Sequence, residues 1–160
     1  MRLAFLERNA RATIALSVAI GALALGCSSS PPAANSFTEV YTKVLQPTCT
    51  NDFCHYPNVG IRYGALDLST QVAAYWSLVD QLCAGAACSG MGNRRVIPGD
   101  PASSILWEKI SETQPPCGAQ MPADMAALTQ TGTIVFSGTA LSAAQQRLIY
   151  DWIYVGAPNN

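Results

Sequence analysis

The stretch Cys49-Thr50-Asn51-Asp52-Phe53-Cys54-His55 holds two of the six cysteines and the only histidine of a 160-residue chain. No other stretch limits the fold as strongly, because two nearby sulfurs followed at once by an imidazole must close a loop on something all three can reach. Three closures suit it. Cys49 and Cys54 can form a disulfide, leaving His55 an ordinary loop residue. They can share a zinc ion with the second C-x4-C pair, Cys83 and Cys88, although this spacing is at the edge of zinc-site usage and an oxidising compartment favours disulfides. Or both can attach covalently to a prosthetic group, with His55 beneath it.

The rest of the chain explains why such a closure is needed. Phe37, Val40, Tyr41, Val44 and Leu45 recur at helical spacing. Ser36 and Glu39 make a capping box at the start of that helix, and Pro47 is expected to stop it. Val72, Tyr75, Trp76, Val79 and Leu82 repeat the pattern in a second predicted helix, opened by Ser69 or Thr70. A third starts at Asp100-Pro101, an N-cap followed by proline at the first helical position, and buries Ile105, Leu106 and Ile110. A fourth runs from Ser142 to about Val155, with a Ser142/Gln145 capping box, an apolar face of Leu148, Ile149, Trp152 and Ile153, and Gly156 as its stop. Thr133 to Ser137 (TIVFS) is the one predicted strand, half of a short β-hairpin. The expected fold is therefore mainly α: one small helical domain with long loops rich in Gly, Pro and Cys. Trp76, Trp107 and Trp152 are expected to pack in its core, and Met125 to lie in a loop. Four short helices bury little apolar surface for their length, so a staple or a cofactor is expected to hold them.

The N-terminus sets the compartment. Residues 1–13 carry three arginines against one glutamate, and Ile14 to Leu25 is apolar or small throughout apart from Ser17. Twelve such residues are too few to cross a hydrocarbon core of roughly 30 Å as a helix, so 1–26 reads as a secretory signal peptide. Its end, Leu23-Ala24-Leu25-Gly26-Cys27, resembles a bacterial lipobox, in which Gly26 precedes the cleaved bond and Cys27 becomes the lipidated N-terminus. Ser28 to Asn35 then reads as a polar, proline-bearing tether, and 36–160 as the folded domain. Ser28 rather than an aspartate follows the cysteine. By resemblance to Gram-negative lipoproteins this implies a cell-envelope protein anchored in the outer membrane, with the membrane itself as one partner.

Charge excludes other classes. Only 12% of residues are charged, against roughly 25% in an average soluble domain. Once the signal peptide is removed, six basic residues face nine acidic ones, a net charge of −3. Arg94-Arg95 is the only basic pair, so nucleic-acid binding has no electrostatic footprint. Hydrolytic chemistry has no motif either: there is no G-x-S-x-G elbow, no Walker loop and no H-E-x-x-H. An enzyme is not expected.

Beyond Cys54-His55, the chain carries an ordered series of motifs: Gly64-Ala65-Leu66-Asp67-Leu68, then Val96-Ile97-Pro98-Gly99-Asp100-Pro101 with Ser104-Ile105-Leu106, then Met121-Pro122, then Leu141-Ser142 and Trp152-Ile153-Tyr154-Val155-Gly156-Ala157. This order resembles the class I c-type cytochromes, and among them the planctomycete-type cytochrome c domain, over nearly all of 36–160. The usual attachment motif of that family, C-x-x-C-H, has two residues between its cysteines where this chain has four. The resemblance implies one covalent haem c, held by thioethers from Cys49 and Cys54, with His55 as the proximal iron ligand. Of Met91, Met121 and Met125, Met121 is the best candidate for the distal ligand, because Pro122 fixes its loop and its distance from the histidine matches the family. The resemblance further implies electron transfer to redox partners in the envelope, and a first and last helix that cross near Phe37, Tyr41 and Trp152. Three cysteines remain. Cys83-Cys88 and Cys88-Cys117 are both open as disulfides, the second preferred, and one thiol is left over in either case. The rival expectation keeps the fold without haem: a disulfide-stapled envelope lipoprotein acting as a structural or binding module.

Overall fold

The computed structural model describes residues 35–50, 54–55, 65–123 and 140–160. The signal peptide, Cys27, the tether up to residue 34, the predicted strand at 133–137 and Met125 lie outside the described residues. Within them the chain is mainly helical: α1 (Phe37–Val40), a π-turn (Tyr41–Leu45), α2 (Gln46–Cys49), α3 (Gln71–Leu78), a 3-10 turn (Pro101–Ser103), α4 (Ile105–Ser111) and α5 (Ala143–Tyr154).

The first three of these form one continuous helical rod, and the expected stop at Pro47 does not occur. Proline removes the N–H that would bond the Lys43 carbonyl, and its ring crowds that carbonyl. The chain widens ahead of it instead: Gln46 N–H reaches the Tyr41 carbonyl, five residues back, so the π-turn absorbs the proline and the helix continues for another turn. Cys49 is thereby carried on the end of a helix rather than in a loop. At the other end Ser36 Oγ accepts the Glu39 N–H at 3.1 Å, half of the expected capping box. The Glu39 carboxylate pairs instead with Lys43 one turn on and reaches back to the Asn35 backbone.

The second helix begins where expected, with Thr70 Oγ1 capping Ala73 N–H, but it buries a different face. Ala74 and Leu78 are buried and Tyr75 is half-buried, whereas Val72 and Trp76 are 69% and 65% exposed. Trp76 is thus not a core residue. The helix also ends at Leu78, so Val79 and Leu82 leave the expected stripe. The run Gln71 to Leu78 carries no charge, so its apolar pattern fits more than one stripe and tertiary packing selects among them. After it, 79–83 runs beside 93–96: Asp80 N–H bonds Val96 O at 3.0 Å, Cys83 N–H bonds Asn93 O at 2.9 Å and Arg95 N–H bonds Gln81 O at 2.8 Å. Only isolated bridges result.

Asp100 and Pro101 open the 3-10 turn as expected, and α4 follows after Ser104. Ser104 is fully buried. Its hydroxyl donates to Asp100 O at 2.7 Å and accepts the Ile97 N–H at 2.8 Å, tying the Val96–Asp100 turn to the helix. Gly99 stands in that turn at φ +84°, and its N–H bonds Ile153 O at 2.8 Å.

The last helix has its full Ser142/Gln145 capping box. It buries Ile149, Trp152 and Ile153 and leaves Leu148 half-buried. It packs on α1, and the Phe37 and Trp152 rings stand 5.0 Å apart. The chain end seals this contact: Thr38 N–H donates to Asn160 O at 3.0 Å and Phe37 N–H to Asn160 Oδ1 at 3.2 Å. Trp152 Nε1 donates to Pro158 O, and Tyr75 Oη to Ala157 O. The expected meeting of the first and last helices at Phe37 and Trp152 is therefore present as a packing contact. Tyr41 stands at its edge, donating its hydroxyl to Ser69 O at 3.0 Å.

Candidate functional site

The end of the α2 rod delivers Cys49, and the chain returns to it at once. His55 N–H donates to Cys49 O at 3.1 Å, and His55 O accepts the Leu68 N–H at 3.0 Å. The histidine backbone is thus clamped between the helix end and the segment that precedes α3. That segment is itself held by Asp67, whose Oδ1 accepts from Ser69 N–H and Oγ–H. His55 Nδ1 is shielded from solvent. Cys49, Cys54 and Cys83 stand outside the Cys88–Cys117 disulfide. The Cys49 thiol is pushed up from its usual pKa by burial, against a contact with the Thr48 hydroxyl and with a smaller push from Cys54 nearby.

Met121 comes from the segment after α4. Its N–H donates to Lys109 O at 2.7 Å, and the side chain packs, half-buried, on the main core. Lys109 organises the approach to it: Nζ donates to Cys117 O at 2.8 Å and Ala119 O at 3.1 Å. Gly118 lies between those two carbonyls at φ +65°, a conformation that strains any residue with a Cβ, and such a Cβ would also stand 2.9 Å from the flexible end of Lys109. The segment is anchored by a disulfide between Cys88 and Cys117, the preferred of the two expected pairings.

These pieces line one cleft-like cavity of 490 Å³, bordered by Cys49, Cys54, His55 and Met121 and walled mostly by apolar side chains such as Leu45, Leu68, Leu78, Ile110 and Leu141. The four residues expected to attach and ligate a group therefore share one space. Its size lies in the range of roughly 300–1,000 Å³ usual for cofactor and small-molecule sites. Among the described residues no group of three or more His, Cys, Asp or Glu could hold a metal ion. An iron already held in a prosthetic group needs fewer donors from the protein.

Cys83, Arg95 and Lys109 line the same cavity, although nothing in their spacing points there. Burial lowers both the Arg95 guanidinium and the Lys109 ammonium from their usual values. It raises the Cys83 thiol, against the pull of those two cations. The signal that could have found the cations is scarcity: outside the leader the chain has only two lysines and four arginines. Both cations are held on backbone carbonyls beside the cavity: Lys109 on Cys117 O and Ala119 O, and Arg95 on Ser77 O at 2.6 Å and Ala65 O at 3.3 Å. The arrangement provides three sulfur nucleophiles, a nitrogen and a thioether donor, and positive charge, around a largely apolar cavity. Comparison with protein families, with curated proteins and with solved structures finds no match to this chain.

Proposed function

We propose that this chain is a lipid-anchored, c-type cytochrome-like protein of the cell envelope that carries electrons rather than turning over a substrate. One observation supports the reading above all: Cys49, Cys54, His55 and Met121, chosen on residue type and order, line a single apolar cavity. The residues fit a covalent haem. Cys49 and Cys54 would supply the thioethers, and His55 and Met121 would offer the iron a nitrogen and a sulfur donor. Arg95 and Lys109, each held on backbone carbonyls, would add positive charge beside it. When bound, the group supplies one-electron chemistry at iron, with a thioether ligand raising the potential. The protein's own part is to orient and exclude. The Cys49 O and Leu68 N–H contacts hold His55 by its backbone, Lys109 holds the Met121 segment, and the leucine and isoleucine walls would give the group an apolar surrounding, which favours the less charged, reduced state.

The reading is tested by absorption spectra, oxidised and dithionite-reduced, of the full chain made in a host with haem-attachment machinery. Sharp reduced α and β bands that survive denaturation are the expected result. A colourless, folded protein from such a host overturns it. The rival, a haem-free stapled lipoprotein of the same fold, draws support from the Cys88–Cys117 bridge, which braces the domain without any cofactor. It predicts that Cys49 and Cys54 react with thiol reagents after unfolding and reduction, where the haem reading predicts two blocked sulfurs.

A further inference from the structure

We propose that the solvent-facing side of α3, centred on Val72 and Trp76, seats in the lipid interface beside the anchor. The inference rests on the reading of Cys27 as the lipidated residue and adds to it a specific protein face. A helix turned to water normally carries charge on its outer side. From Thr70 to Val79 there is none, and the two outermost side chains are a valine 69% exposed and a tryptophan 65% exposed.

The position of the face is what names its occupant. Gln71 Nε2, in the first turn of α3, donates to Thr38 Oγ1 at 2.9 Å. The Tyr75 ring lies edge-on to Phe37 at 5.2 Å, and Trp76 lies edge-on to Tyr75 at 5.4 Å. The exposed tryptophan is therefore two ring contacts away from the point where the chain enters the domain. Eight residues separate Cys27 from Ser36, and even fully extended they span only roughly 30 Å. A lipid on Cys27 thus keeps the Ser36 end of the domain, and α3 with it, at the bilayer surface. Tryptophan suits that depth, with an apolar ring and a polar N–H edge. With a net charge of −3 after the leader, the domain gains nothing from anionic headgroups, so the seat is apolar.

The test uses the full, processed lipoprotein in vesicles of phosphatidylethanolamine and phosphatidylglycerol doped with a diazirine-bearing phospholipid. After irradiation and digestion, lipid adducts are mapped by mass spectrometry. Adducts are expected on the peptide spanning 70–79, severalfold fewer in the Val72→Asp/Trp76→Asp variant, whose circular dichroism should stay native because both side chains face water. Protein that floats with the vesicles but shows no adducts on 70–79 overturns the docking and leaves the anchor standing. Trp76-dependent dimers in sedimentation, without adducts there, overturn it in favour of a second copy as the occupant. Protein that does not float and lacks an acyl mass on Cys27 overturns the anchor and the docking together.

Discussion

At the scale of single residues, the cavity concentrates chemistry on four side chains, and each can be removed separately. His55→Ala is expected to abolish the low-spin spectrum of the haem-loaded protein, read in the Soret region, and to change nothing in a haem-free one. Met121→Ala should lower the reduction potential measured by spectroelectrochemistry, or leave the iron high-spin. An unchanged spectrum and potential would remove Met121 as a ligand. Cys49 gives a pH test. Burial raises its thiol above the ordinary value, so the folded chain holds this proton more tightly than the unfolded chain does. The associated stability is fully present below the unfolded thiol pKa of about 8.5 and is lost as pH rises through the folded value. Cys83 is shifted in the same direction. The haem-free chain should therefore show a falling urea midpoint above about pH 8.5, with a smaller slope in Cys49→Ala. Chain in which Cys49 is a thioether should lack that contribution.

At the scale of elements, the helices divide into those whose buried face can be read from residue spacing and one whose face cannot. The last helix is amphipathic, with polar Gln145, Gln146, Arg147 and Asp151 around Ile149, Trp152 and Ile153, so one face alone can go inward. α3 has no such contrast, and either stripe satisfies the same spacing; contacts with Phe37 and the chain end select the Ala74–Tyr75–Leu78 side. The two tryptophans should behave accordingly. Trp152→Ala is expected to cost about 3–5 kcal/mol of unfolding free energy, while Trp76→Ala should stay within about 0.5 kcal/mol, both measured by urea denaturation. Equal losses would refute the assigned phase of α3. Ser142→Ala, which removes the cap from α5, should cost about 1 kcal/mol in the same measurement. Pro47 teaches a related point. The penalty for a proline inside a helix depends on whether the preceding turn can widen, and here it can.

At the scale of the whole molecule, a modest helical core is braced by one long-range covalent link. Cys88 and Cys117 are 29 residues apart, and closing a loop of that length stabilises the fold by about 3–4 kcal/mol on the chain-entropy account. The Cys88→Ala/Cys117→Ala protein should lose a comparable amount in denaturant titration. It should also lose order around Met121, because the disulfide and Lys109 hold the same segment. By itself the sequence determined the helical class, the Ser142/Gln145 capping box, the packing partners Phe37 and Trp152, and the four residues that share the cavity. These rest on local periodicity, on cap chemistry, and on residue types so rare in this chain that a lone histidine after a cysteine could hardly be overlooked. Only the tertiary structure decided which face of α3 is buried, that the rod continues through Pro47 to bring Cys49 to the cavity, and that Arg95, Lys109 and Cys83 line the same space as His55. Those outcomes depend on where distant segments return, and spacing along the chain carries no information about a contact that forms only when the loop between two segments closes.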